Sequence, residues 1–356
     1  MLELRNISKK VGGTTHIHPT NLVLPRGSLN VLLGPTLSGK TSLMRLMAGL
    51  DKPSEGSILF DGQDVTSMPV QKRNVAMVYQ QFINYPALTV YENIASPMRI
   101  AGKQQSEIDS EVRKAADLLK LTPYLDRTPL NLSGGQQQRT AIARAIVKKA
   151  NLVLLDEPLA NLDYKLREEL REELPRIFAE SGAIFVYATT EPSEALLLGG
   201  NTAALSEGRV TQFGRTIDVY RRPIDLITAR TFADPPLNTA HMIKSGDRFL
   251  RADRPAIDVP NQLVDISDGP LTIAFQPHHL LVRPVENATV PIRARTLVSE
   301  IAGSESFIHL DYEGNRWVML AHGIQIIEPD REIEVYLDTR HLMAFDETGR
   351  AVGSVA

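Results

Sequence analysis

The sequence contains no cysteine in 356 residues. That absence excludes disulfides, thiolate zinc sites and thiol nucleophiles together, and it agrees with a reducing compartment. An excess of charge of either sign is also missing. The 39 Lys and Arg against 42 Asp and Glu leave a formal net charge of -3, so nothing argues for a nucleic-acid surface or a polybasic membrane anchor. No apolar run reaches the roughly 18 residues of a spanning helix, and the opening MLELRNISKK carries charges where a secretion signal needs an apolar stretch. Any membrane contact is therefore expected to pass through another protein. A fixed-period repeat and low-complexity tracts are lacking too. What is present, 43% hydrophobic and 23% charged residues, is the make-up of a soluble globular chain long enough for two or three domains.

The texture changes along the chain. Up to about Asp234, β-rich runs such as LNVLLG, NVAMVYQ, NLVLLDEP and AIFVYATT alternate with helical stretches, the pattern of an α/β sheet with crossover helices. One of those helices, LREELREEL, places Leu166, Leu170 and Leu174 on one face with Arg and Glu opposite, and reads as an amphipathic surface helix without chemistry. After FADPPLN, short strands separated by turn signals such as Ser-Gly-Asp and Glu-Gly-Asn predict a small β domain. The expected division is residues 1-235 and 236-356.

The strongest chemical signal is GPTLSGKTS, comprising Gly34, Pro35, Thr36, Leu37, Ser38, Gly39, Lys40, Thr41 and Ser42, directly after the apolar Val31 to Leu33 and before a helical run. Gly34, four residues, Gly39, Lys40 and Thr41 have the spacing of a phosphate-binding loop in its strand-to-helix setting. Such a loop turns backbone N–H groups inward as an anion nest, and the helix N-terminus adds its dipole. Lys40 is expected to reach the β- and γ-phosphates of ATP, and the Thr41 hydroxyl to bind Mg²⁺. A second apolar strand, Leu152 to Leu155, ends in Asp156 and Glu157. Two carboxylates at that end of a strand suggest Asp156 for Mg²⁺ and Glu157 as the general base for the attacking water.

Between these motifs lies LSGGQQQR, Leu132 to Arg139. With it the chain resembles the nucleotide-binding subunits of ABC transporters, whose signature is LSGGQ. The order phosphate loop, Gln80 in VYQQ, LSGGQ, LLDEP, then ANLD at Ala160 to Asp163 matches that family. The resemblance implies a RecA-like core with a helical subdomain. It makes Gln80 a further ligand of the metal and a residue of the catalytic site. It also implies a head-to-tail dimer, in which Ser133, Gly134, Gly135 and Gln136 of one subunit close on ATP held by the other. PLANLDYKLREELREEL, NYPALTVYENIASPMR and QFGRTIDVYRRPIDLITARTFADPPLN resemble the sugar-importer branch, whose tail is a regulatory OB-like domain. There IAFQPHHLLVRP is similar to a strand-and-turn motif, with Gln276 and His278 where Arg and Glu are usual.

Two positions depart from the family. Its switch histidine follows a threonine at the end of the strand after the Asp-Glu pair, and FVYATTEPSEAL puts Thr190 there. No histidine lies between His18 and His241 to replace it. A threonine hydroxyl is shorter and carries no positive charge. In NISKKVGG, Val11 stands where an adenine-stacking tyrosine is usual; His16 reads first as a surface-loop histidine, with stacking on the base as the alternative.

The resemblance implies the ATP-hydrolysing motor of a bacterial importer for a sugar, glycerol or related polyol, peripheral to the cytoplasmic face of the inner membrane. Its partners would be two membrane-spanning permease subunits, contacted through the face around Gln80 to Ile94. A second ATP-binding subunit, identical or different, completes the set, with a periplasmic binding protein indirectly and no nucleic acid. The rivals are a non-transport ABC ATPase and a degenerate regulatory ATP-binding subunit paired with an active one.

Overall fold

The computed structural model describes residues 1–353 apart from 82, 161, 252, 253 and 287; Asn161 of the ANLD motif and Phe82 of the expected permease-facing segment therefore lie outside the described residues. Two compact units form, Met1–Thr216 and Ile217–Ala356.

The first unit is built on a six-stranded sheet. Its members are β3 (Leu29–Leu33), β6 (Val75–Val78), β7 (Leu152–Asp156), β8 (Ile184–Thr189), β9 (Asn201–Ser206) and β10 (Arg209–Arg215). Their spatial order is β10-β9-β3-β8-β7-β6, all parallel except the β9–β10 hairpin. Parallel strands covered on both faces are apolar throughout rather than alternating, and every residue of β7 and β8 is buried. A second sheet, of order β2-β1-β4-β5, is antiparallel and consists of β1 (Leu2–Val11), β2 (Thr14–Leu24), β4 (Glu55–Phe60) and β5 (Gln63–Asp64). One core joins the two sheets, with Leu43, Met44, Leu46 and Met47 of helix α1 (Lys40–Ala48) between them.

Helices α2 (Val90–Ile100), α3 (Gln105–Leu118) and α4 (Gly134–Val147) pack on one another as a helical subdomain. Helix α2 begins with a capping box between Thr89 and Glu92, and α4 with one between Ser133 and Gln136. Helix α5 (Tyr164–Ser181) is capped by Asp163, whose carboxylate accepts from the Leu166 N–H at 3.0 Å, and stops at Gly182 with φ 65°. The expected leucine face is there: Leu166, Leu170 and Leu174 are buried, followed by Phe178 stacked on Phe185. A short helix, α6 (Pro192–Leu198), follows β8.

The sheet order explains why motifs far apart in sequence meet. The phosphate loop leaves the end of β3, Thr189 ends β8, Asp156 ends β7, and Gln80 follows β6, so all four stand side by side at the C-terminal edge of neighbouring strands. In open α/β sheets this edge is where ligands bind.

The second unit is all-β apart from short helical segments at its start and in connections. One sheet has the order Arg254–Asp258, Arg248–Arg251, Asn238–Ser245, Gly269–Phe275, Met343–Phe345, Ala351–Val352. The other runs Leu280–Leu281, Glu332–Asp338, Thr289–Ala302, Glu305–Tyr312, Asn315–His322. Trp317 lies at the centre of their shared core, stacked on Tyr312 and edge-on to Phe275. The helix Leu226–Thr231 groups with this unit, since Ala229 and Leu226 pack with Ala274, Met343 and Phe345. Among the described residues no helix is long and apolar enough to cross a membrane.

Candidate functional site

The phosphate loop is folded too tightly for side chains at its glycines. A Cβ on Gly34 would lie 2.4 Å from the Leu205 carbonyl oxygen, and one on Gly39, where φ is 103°, would lie 2.9 Å from Ile17 Cδ1. The Gly34 N–H donates to the Thr189 carbonyl at 3.4 Å, which ties the loop to β8. Leu37 takes a left-handed conformation, φ 68°, and is 95% exposed, an unusual state for a large apolar residue.

Lys40 is buried, and its ammonium donates to the carbonyls of Gly34 and Pro35 at 2.8 and 3.0 Å. Burial pulls its pKa down, opposed by the carboxylates of Glu157, 3.8 Å away, and Asp156. The Thr41 hydroxyl donates to Asp156 Oδ2 at 2.7 Å, and the Gln80 amide donates to Glu157 Oε2 at 2.8 Å. Burial pushes both carboxyls above their ordinary values; for Glu157, Lys40 opposes the rise while Asp156, Glu194 and Glu191 add to it. Glu157 also has a left-handed backbone, φ 46°, held by its N–H to the Ala188 carbonyl at 3.0 Å. Positive φ is uncommon outside glycine and tends to persist where surroundings enforce it.

Lys40, Thr41, Gln80 and Glu157 share an open cavity of about 580 Å³, whose lining also includes Thr36, Leu37, Gly39 and Ser42 of the loop and His16, Glu207 and Gly208. The chemistry fits a nucleoside triphosphate with Mg²⁺. Ser38 Oγ is buried within the loop and has no hydrogen-bond partner among the described residues, a glycine-rich loop of this kind presents backbone N–H groups to an anion, and Thr41, Asp156 and Gln80 offer the hard oxygen donors Mg²⁺ takes. Among the described residues there is no cluster of three or more His, Cys, Asp or Glu suited to a metal.

Not every residue predicted from the sequence faces this cavity. Val11, half exposed at the end of β1, is absent from its lining, as are Gly34, Pro35, Ser38, Thr190, the signature residues Ser133, Gly134, Gly135 and Gln136, and Asp156, which is buried behind Thr41 and bonded to it. The signature sits at the N-terminus of α4, where Ser133 Oγ accepts from the Gln136 N–H and Gln136 Oε1 accepts from the Ser133 N–H. At the end of β8 the two hydroxyls have separate fates. Thr189 is buried and donates to Glu194 Oε2 at 2.6 Å, whereas Thr190 is exposed.

Two features escaped the sequence reading. Gln138, fully buried in α4, donates to the backbone carbonyls of Glu157 and Pro158 and so ties the signature helix to the segment that carries the Glu157 side chain. Its position two residues past the signature was the only signal. The second is an ionic cluster behind Thr189. Glu194 accepts from Tyr187 Oη at 3.1 Å and from Arg171 at 3.0 Å; Arg171 also donates to Glu191 at 2.7 Å and Glu168 at 2.6 Å. Arg167 continues it, donating to Glu191 at 3.2 Å and to the Ala160 and Leu162 carbonyls of the ANLD segment.

Residues 17–160 match the family model described as "ABC transporter". Over 99% of both chains the protein is 33% identical to the trehalose/maltose import ATP-binding protein MalK of Thermococcus litoralis. It is 34% identical to the sn-glycerol-3-phosphate import ATP-binding protein UgpC of Pectobacterium atrosepticum, over 88% of both chains. Among solved structures, a dimeric ATP-binding cassette in a post-hydrolysis state bound to ADP and Pi matches with a TM-score of 0.56 and 28% identity, covering 61% of this chain and 99% of that one.

Proposed function

The chain belongs to the ATP-binding subunits of ABC importers, and from that membership we propose that it is the ATPase motor of an importer for a sugar, glycerol or related polyol, and one half of an asymmetric pair. The first unit is the motor and the second, from Ile217 on, a regulatory domain; the boundary falls before the expected 235 because Leu226–Thr231 packs with the β sheets. It docks on two membrane-spanning permease subunits at the cytoplasmic face of the bacterial inner membrane, and meets a periplasmic binding protein only through them. The names of its relatives, which import trehalose or maltose and sn-glycerol 3-phosphate, support this substrate class.

The observation that carries the catalytic reading is the Glu157 carboxylate, bonded to Gln80 and 3.8 Å from Lys40 on the lining of the phosphate-loop cavity. Lys40 and the loop N–H groups hold the β- and γ-phosphates. Thr41, Asp156 and Gln80 would hold Mg²⁺, which when bound neutralises phosphate charge. Glu157 takes the proton of the attacking water at its carboxylate, and Gln80 holds that carboxylate in place.

Asymmetry is supported by Thr190 together with Val11, which stands where the family's adenine-stacking tyrosine is usual. Thr190 stands at the position of the switch histidine, is exposed, and does not line the cavity, while the neighbouring Thr189 hydroxyl is engaged by Glu194. Loss of one positioned donor typically costs on the order of 10²–10³ in kcat. The site on Lys40 therefore binds ATP and turns over slowly. A partner bearing the histidine, facing Ser133, Gly134 and Gly135 of this chain, makes the fast site. In the reconstituted transporter Thr190→His should change turnover little, and removal of the partner's histidine should nearly abolish it. A purified transporter with two copies of this chain and ordinary turnover would overturn the asymmetric pair.

A further inference from the structure

We propose that Arg167 is a positioning residue for hydrolysis: it closes a ring of hydrogen bonds that holds the left-handed backbone of Glu157 and so keeps the carboxylate aimed into the site. The proposal rests on reading Glu157 as the base of this chain's ATP site and adds the side chain that holds it in place.

The backbone at Glu157 needs a hold from outside. Its φ is 46°, at the end of β7 and directly before Pro158. A residue other than glycine stays in this region only where its surroundings enforce it. On one side the Glu157 N–H donates to the Ala188 carbonyl of β8 at 3.0 Å. On the other, the Glu157 carbonyl accepts from the Ala160 N–H at 3.3 Å. Gln138 of α4 reaches the same carbonyl and that of Pro158.

Arg167 joins the two sides. Asp163 caps α5, and the Arg167 N–H donates to its carbonyl at 3.0 Å, so Arg167 lies one turn into the helix. Helical side chains lean back toward the N-terminus, which carries this guanidinium over the segment before the helix. There Nη2 donates to the Ala160 and Leu162 carbonyls at 3.3 and 3.4 Å. Nη1 donates to Glu191 Oε1 at 3.2 Å, and the Glu191 N–H donates to Thr189 Oγ1 at 3.0 Å. Thr189 follows Ala188 in β8, so the path returns to the acceptor of the Glu157 N–H and the ring is closed.

Among the described residues no other side chain bonds both Ala160 and the segment after β8. Arg171 also reaches Glu191 but makes no bond to Ala160, so it braces the ring without closing it. The planar fork of an arginine can serve a carboxylate and a carbonyl in fixed directions at once, which the point charge of a lysine does not. Arg167 Nε is buried and has no hydrogen-bond partner among the described residues; an unmet buried donor opposes folding, and the contacts of the two Nη atoms hold the group there against that cost.

The test separates aiming from binding. Single-turnover hydrolysis of Mg²⁺-ATP in the assembled transporter, with the facing subunit's own site silenced, reads the Lys40 site, and calorimetric titration of the full chain with Mg²⁺-AMP-PNP reads affinity. Misplacement of a reacting group by ~1 Å can cost on the order of 10²-fold, so Arg167→Met, which keeps the stem and removes the fork, should slow the step about tenfold or more. AMP-PNP affinity should stay at the wild-type value. Glu191→Ala breaks the same ring at a more exposed position and should slow the step likewise, while adding Arg167→Met to it should cost little more. Rates are compared on the alkaline plateau of the pH–rate profile, where Glu157 is ionised with or without the charge of Glu191. A wild-type rate in either single variant overturns the proposal, as do equal losses of rate and affinity, or losses that multiply in the double variant. Should Arg167→Met fail to fold, Glu191→Ala decides by the same readings. Glu157→Gln is the control: if it hydrolyses like wild type, the base reading fails and the inference with it; if it stops hydrolysis while Arg167→Met and Glu191→Ala do not slow it, only the ring fails.

Discussion

Replacing Glu194 by glutamine keeps the shape of the side chain and removes a charge from the enclosed cluster behind Thr189. The Glu194 side chain is 6% exposed, and three donors converge on it: Thr189 Oγ1 at 2.6 Å, Arg171 at 3.0 Å and Tyr187 Oη at 3.1 Å. Hydrogen bonds to a charged group contribute about 1.5–3 kcal/mol each, against about 1 for neutral ones. Both hydroxyls donate to Oε2 and Arg171 to Oε1, so an amide must either set its NH₂ group against the two hydroxyls, which then have to accept, or set it against the guanidinium of Arg171; in both cases the ion pair is lost. Arg171 keeps Glu191 and Glu168, which limits the damage. The expected net loss is about 2–3 kcal/mol. For a unit of roughly 200 residues that lowers Tm by about 5–10 °C. Differential scanning calorimetry of the full chain measures it, with the transition of the first unit identified by its upward shift on adding ATP analogue. A double-mutant cycle with Thr189→Val should give a coupling energy of about 1 kcal/mol or more. An unmoved transition, or strictly additive effects of the two substitutions, would refute the idea that this carboxylate holds the end of β8.

Two further outcomes are expected. Lys40→Ala should nearly abolish nucleotide binding, whereas Glu157→Gln should preserve binding, stop hydrolysis at that site and trap the closed dimer; equilibrium binding and single-turnover hydrolysis in the assembled transporter separate the two. Burial and neighbouring carboxylates raise the Glu157 pKa above the 4.5 of an ordinary glutamate; the active base is ionised, so the rate falls as pH falls through that raised value, and in a pH–rate profile Glu194→Gln should move this limb to lower pH. The linked stability has the opposite sense. Glu157 favours the fold fully below 4.5, and that contribution is lost as pH rises through the raised value.

The parts of the site legible in the sequence were those whose physics is local. Phosphate-loop glycines are dictated by atoms within a few residues or across one strand, and the runs of β7 and β8 are apolar because both faces are covered. Leucines four apart in LREELREEL gave the buried stripe of α5. The same helix shows where such reading stops. Its arginines look like a solvated face, yet Arg171 is only 12% exposed and reaches Glu191 and Glu194 on the segment after β8. A charge pattern does not distinguish water from a neighbouring element bearing opposite charge. Nor did alternation separate Thr189 from Thr190: a strand end has no following residue to fix which hydroxyl turns inward, and the Glu194 carboxylate makes that choice through a contact five residues on. Gln138 was hidden for a related reason, since its partners are carbonyls, which no side-chain motif announces.

The box at the start of α4 has a consequence for how fast two subunits join. Ser133 Oγ is held as an acceptor by the Gln136 N–H, and the Gln136 side chain closes back on the Ser133 N–H. The hydroxyl proton of Ser133 stays free to donate, and the first N–H groups of a helix have no partner within it. Their orientation is therefore settled during folding. In the proposed pair, an arriving phosphate would meet a surface whose rotamers are already chosen, so little ordering entropy, about 0.5–1.5 kcal/mol per immobilised side chain, would be left for the encounter. Closure of the pair should then be limited by the approach of the subunits rather than by rearrangement of the signature.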